Sequence, residues 1–95
     1  MVAEALDAIA QRLVALREEP PSELTSGERA ALWRAQQKAA RPAGTVEDLR
    51  RYCLESLRRP RFLDAEHEND YLRGYRRGFQ LVLREVRRIE TARRQ

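Results

Sequence analysis

The chain has 95 residues, with 19 basic and 15 acidic side chains, a single cysteine and a net charge of +4. That length allows one modest core, and the apolar content is too high for a disordered chain. Lone Cys53 excludes an internal disulfide or a cysteine-rich metal site, no apolar run approaches a membrane span, and the acidic Glu4 and Asp7 interrupt any leader-like start. An intracellular or particle-associated protein is expected, with no membrane contact. Eighteen of the basic residues are Arg and only Lys38 is Lys. Arg offers a planar fork suited to carboxylates and phosphates, although a coding bias would give the same excess.

Val2, Leu6, Ile9, Leu13 and Leu16 are spaced 4, 3, 4, 3 and predict a first helix over about residues 2–17. Glu18-Glu19-Pro20-Pro21 ends it, because proline lacks the N–H donor and restrains its predecessor. Thr25 with Glu28 three residues on reads as a capping box opening a second helix, about 26–40. This helix is Ala-rich, with Leu32 and Trp33 its only large apolar groups, and should pack closely while burying little. Arg41-Pro42-Ala43-Gly44 closes it.

Thr45 and Asp48 start a third helix, about 46–58, whose buried face carries Val46, Leu49, Cys53 and Leu57. Arg58-Arg59-Pro60 stops it. Asp64 is then expected to cap a long fourth helix, about 65–93, with acidic residues in its first turns and arginines crowding its end, as the macrodipole favours. No strand pattern survives. The expected fold is all-α: a small bundle of three short helices and one long, C-terminal amphipathic helix.

The fourth helix carries the candidate site. Leu72, Tyr75, Phe79, Val82, Val86 and Ile89 keep a 3, 4, 3, 4, 3 register straight through Gly74 and Gly78. A flexible Arg-Gly tail has no reason to hold that register, so the segment is helix. Arg73, Arg76, Arg77, Arg84, Arg87 and Arg88 fall within a sector of roughly 120° on the opposite side. Two glycines cost a helix about 1 kcal/mol each relative to Ala. They mark a kink, a groove filled by another helix of the chain, or a groove filled by a partner. A 30-residue helix would span about 45 Å, against about 32 Å for a domain with the expected radius of gyration of about 12 Å. The helix should therefore overhang its bundle and expose its seam from Val82 to Ile89. On that ground the partner interface is expected at Leu72, Gly74, Tyr75, Gly78, Phe79, Val82, Val86 and Ile89, covered by a homo-oligomer or a larger protein.

The basic stripe could face solvent, an acidic protein or nucleic-acid phosphates; residues 71–95 hold eight Arg and two Glu. No helix-turn-helix or zinc spacing supports base reading. Asp64, Glu66, Glu68 and Asp70 alternate as calcium ligands might, but Asn69 stands where the loop glycine belongs and Tyr75 where the last glutamate belongs. With His67 the sole histidine, no metal, cofactor or catalytic group is expected, and the chain reads as no enzyme. Trp33 and the tyrosines read as core or interface anchors.

Glu68-Asn69-Asp70-Tyr71-Leu72-Arg73-Gly74, leading into a Leu/Val-rich amphipathic helix, resembles the C-terminal part of small helical accessory proteins of tailed bacteriophages, over residues 66–90. The resemblance implies a non-enzymatic protein that docks on a virion shell, portal or connector, or acts on a host protein. A small basic nucleic-acid-binding regulator is the alternative that the Arg stripe leaves open.

Overall fold

The computed structural model describes residues 2–41, 44–58 and 69–93. They form four helices, α1 (Val2–Glu18), α2 (Glu23–Ala39), α3 (Val46–Arg58) and α4 (Asp70–Arg93), with no strand among the described residues. The fold is an all-α bundle with a radius of gyration of 13.4 Å and dimensions of 41 × 29 × 25 Å. The expected cap at Asp64 and the stretch with Glu66, His67 and Glu68 lie outside the described residues.

Local chemistry sets the helix starts. Ser22 caps α2: its hydroxyl accepts from the Thr25 backbone N–H at 3.1 Å, and the Thr25 hydroxyl accepts from the Ser22 N–H at 3.0 Å. The capping box is therefore Ser22 with Thr25, three residues ahead of the expected pair, because the Thr25 hydroxyl can fill the reciprocal place usually given to Glu or Gln. Glu28 is released from capping and turns into the core. Thr45 accepts from the Asp48 N–H at 3.1 Å to open α3, and Asn69 Oδ1 accepts from the Leu72 N–H at 2.9 Å to open α4.

The closest packing in the molecule is between α2 and α4. A Cβ placed on Gly74 would overlap the Leu24 carbonyl oxygen and stand 2.9 Å from the Glu28 nitrogen. A Cβ placed on Gly27 would overlap the Tyr71 carbonyl oxygen and stand 2.9 Å from the Tyr75 nitrogen. The two sets of contacts mirror each other, so the crossing has a local twofold pseudosymmetry centred between Gly27 and Gly74. One turn on, a Cβ on Gly78 would come 2.7 Å from the Ala31 Cβ. The register advances in the same direction along both helices, so they run parallel, backbone against backbone. Small residues at four-residue spacing on both sides, Gly27 and Ala31 facing Gly74 and Gly78, permit that approach.

α1 and α3 pack against this central pair with little direct contact between themselves. In a bundle of alternating direction, α2 and α4 would occupy a diagonal. Here that diagonal is collapsed to backbone contact, which holds the other two helices apart. Ile9 and Leu16 of α1, Leu32 of α2, Leu49 and Cys53 of α3, and Phe79, Val82, Val86 and Ile89 of α4 form one core, each at most 2% exposed. Tyr52 and Tyr75 both meet the Phe79 ring edge-on, at centroid separations of 5.9 and 4.9 Å.

At 24 residues α4 is about 36 Å long, roughly two turns longer than α1 or α2. It is the long C-terminal helix that was expected, although it opens at Asp70 behind the Asn69 cap and not near residue 65. Its apolar seam is nevertheless not left bare. Val82, Val86 and Ile89 are 0%, 1% and 2% exposed, because α1 and α3 as well as α2 lie against α4.

Candidate functional site

The residues expected to meet a partner are occupied within the chain. Leu72, Phe79, Val82, Val86 and Ile89 are buried, as are Gly74 and Gly78, and Tyr75 is half-buried. The helix runs unbroken through both glycines, and the groove they open is filled by α2. The expectation of a partner at this seam is corrected accordingly. A 3-4 apolar register specifies burial, and the neighbouring helices of the same chain supply it.

The arginines of α4 do face outward. Arg73, Arg77, Arg84, Arg87 and Arg88 are exposed, and Arg76 is half-buried. Arg73 lies 3.4 Å from Asp70, and Arg88 lies 2.8 Å from Glu85, pairs one turn apart of the kind that contribute only tenths of a kcal/mol. Arg77, Arg84 and Arg87 form no ion pair with a described residue.

Two buried groups have the chemistry of a site but serve packing. Glu28 is 1% exposed, and Arg12 of α1 grips its carboxylate side-on, with Nε 2.5 Å from Oε2 and Nη2 3.2 Å from Oε1. The hydrogen bond to Glu28 raises the Arg12 pKa above its usual value, against the opposing effect of burial. Glu28 thus joins α1 to the α2–α4 crossing, where its own backbone lies against Gly74 and Gly78. Cys53 is fully buried, and desolvation pushes its thiol up to about 12, so it is protonated and inert at neutral pH. Among the described residues no group of three or more His, Cys, Asp or Glu could hold a metal ion. No helix among them is long and apolar enough to cross a membrane.

The surface feature that stands out is a groove of about 600 Å³ between α1 and α2. Leu13 and Val14 on one helix and Ala30 and Trp33 on the other supply its apolar lining. Trp33, the only tryptophan, is 56% exposed and Val14 is 55% exposed. Ala10 is the second small residue along it, and short side chains at 10 and 30 leave the hollow that the larger groups surround. Arg17, Arg29 and Arg34 line it as well; among the described residues no carboxylate does, and none of the three forms an ion pair with a described residue.

Sequence reasoning marked Trp33 as an anchor but passed over Val14. The signal was present: residues 10, 13, 14 and 17 and residues 26, 29, 30 and 33 both follow the i, i+3, i+4, i+7 spacing of a single helix face. On α1 this is a second face beside the 2-6-9-13-16 seam, with Leu13 shared between the two. It went unseen because alanine and arginine fill half of it.

No protein-family model matches the chain, and no curated protein or solved structure is detectably similar to it.

Proposed function

We propose that the protein is a non-enzymatic interaction module whose docking site is the α1–α2 groove. The observation that carries this is the half-exposed Trp33 beside an equally exposed Val14 in an open hollow, on a bundle whose other large apolar groups are mostly enclosed. Trp and Arg are the residues most enriched among binding hot spots, and here one Trp stands among three Arg that pair with no described residue. A small-molecule pocket would enclose most of its ligand; a hollow edged by the half-exposed Trp33 and Val14 suits the surface of another protein better. On the resemblance of residues 66–90, the partner belongs to a phage particle or is a host protein.

A photo-cross-linking residue at position 14 tests this in the protein's native cellular setting, with position 55 on α3 as the control. A discrete adduct is expected from position 14 only, and it should disappear when Trp33→Ala is added. Adducts from position 55 and none from position 14 would move the docking site elsewhere.

A further inference from the structure

We infer that the groove receives an acidic amphipathic helix, two to three turns long, from a protein other than this one; the inference rests on the groove being a docking site. Its length comes from the lining, which runs from Ala10 to Arg17 on α1 and from Ser26 to Gln36 on α2. At 1.5 Å per residue these stretches are about 10 and 15 Å long, or two to three turns. Both walls are helices whose interior backbone groups are already bonded, so there is no sheet edge to recruit an extended strand. A helix satisfies its own backbone and needs only a groove for its apolar stripe.

The charge of the occupant follows from Arg17, Arg29 and Arg34. Three guanidinium groups line an apolar hollow with no carboxylate among its described lining residues. In a twofold dimer formed through this groove, each would be brought toward the same groups of its mate, and that like-charge juxtaposition disfavours self-association. Carboxylates flanking an apolar stripe complement all three. Nucleic acid also carries negative charge, but stacking sites for single strands present successive aromatic rings. Here Trp33 is the only ring among the described lining residues, beside aliphatic neighbours.

Trp33 reports directly on the groove. The full chain is titrated with a helix-favouring peptide of about 18 residues, long enough to fold alone, carrying Leu at alternating three- and four-residue spacing and Glu on the remaining face. Two comparison probes are the same peptide with Lys for Glu, and oligothymidylate. The acidic peptide should shift Trp33 emission to the blue, and the Lys peptide should not. The triple variant R17Q/R29Q/R34Q, checked for an unchanged circular dichroism spectrum, should bind the acidic peptide about tenfold more weakly, as expected for three exposed ion pairs.

Equal binding of both peptides, or an unchanged affinity in the triple variant, would overturn the acidic assignment while leaving the groove a docking site. A response to oligothymidylate in place of the peptides would overturn it in favour of nucleic acid. A concentration-dependent dimer that buries Trp33 would make the occupant a second copy. No response to any probe and no dimer would count against the groove itself as well as the inference.

Discussion

Gly74→Ala is the sharpest test of how the bundle is held together. In an isolated helix the change is favourable by about 1 kcal/mol, since glycine sacrifices more backbone entropy than alanine on becoming helical. In this protein the new methyl would overlap the Leu24 carbonyl oxygen and stand 2.8 Å from its carbon and 2.9 Å from the Glu28 nitrogen. All three are backbone atoms of α2, so no side chain can rotate away. Relief requires α2 and α4 to separate by about an ångström along their crossing, loosening the tightest interface in the molecule. Overpacking of this kind costs about 1–3 kcal/mol and sometimes more, and the immobility of the atoms places this case at the upper end. Set against the propensity gain, the net loss is about 2 kcal/mol, or roughly 10 °C in Tm for a chain of this size. Thermal and urea unfolding followed at 222 nm would measure it. Gly27→Ala should match it by the pseudosymmetry, and Gly78→Ala should lose less, since its nearest contact is the Ala31 methyl at 2.7 Å. A Gly74→Ala protein as stable as the parent, or more so, would show that the helices do not meet backbone to backbone.

The adjacent residues Leu32 and Trp33 make a second contrast. Leu32→Ala should destabilise by about 2–5 kcal/mol, as for other buried leucines, whereas Trp33→Ala should change stability by about 1 kcal/mol or less; comparable losses in urea melts would place Trp33 in the core. Arg12→Ala strands the Glu28 carboxylate and should cost about 2 kcal/mol, less than for a fully enclosed pair because the Arg12 side chain is 30% exposed. Arg12→Met with Glu28→Leu should recover most of that loss in the same assay. The Cys53 thiol, held up to about 12 by burial, makes stability fall as pH rises. Its contribution is intact below the unfolded thiol's pKa of about 8.5 and is lost progressively from there to about 12. Cys53→Val should flatten that alkaline decline in urea melts at pH 8 and 10, and iodoacetamide should label native Cys53 only as fast as the chain unfolds.

Much of this architecture was legible from spacing. The 3-4 registers of α1 and α4 and the turn signals at Pro20-Pro21 and Thr45 are local properties, encoded in which residue follows which. The site was less legible, for a physical reason. The stripe from Leu72 to Ile89 announces burial but not by what, since a neighbour in the same chain and a neighbour in another satisfy it equally. The length of α4 made an outside partner attractive, and the decisive counter-signal lay in α2. There Gly27 and Ala31 form the matching half of the crossing, 47 residues away. Glu28 could be read as a cap because a carboxylate three residues after a threonine commonly is one. Only the third dimension brings Arg12 to it. The groove was hardest to see, since exposed Arg and small Ala carry little pattern of their own.

The α2–α4 crossing also bears on how the chain reaches this structure. Its key contact joins Gly27 to the turn around Tyr71, so a loop of roughly 45 residues must close before the tightest interface can form. Neither short hairpin, α1 with α2 or α3 with α4, contains that contact. Helical bundles usually fold rapidly because most of their contacts are local in sequence. Here the most intimate contact is distant, and it tolerates no added atom. The search for it should set the pace of folding, placing this protein among the slower bundles of its length. Changes at Gly27 and Gly74 should then appear in the folding rate as much as in the equilibrium.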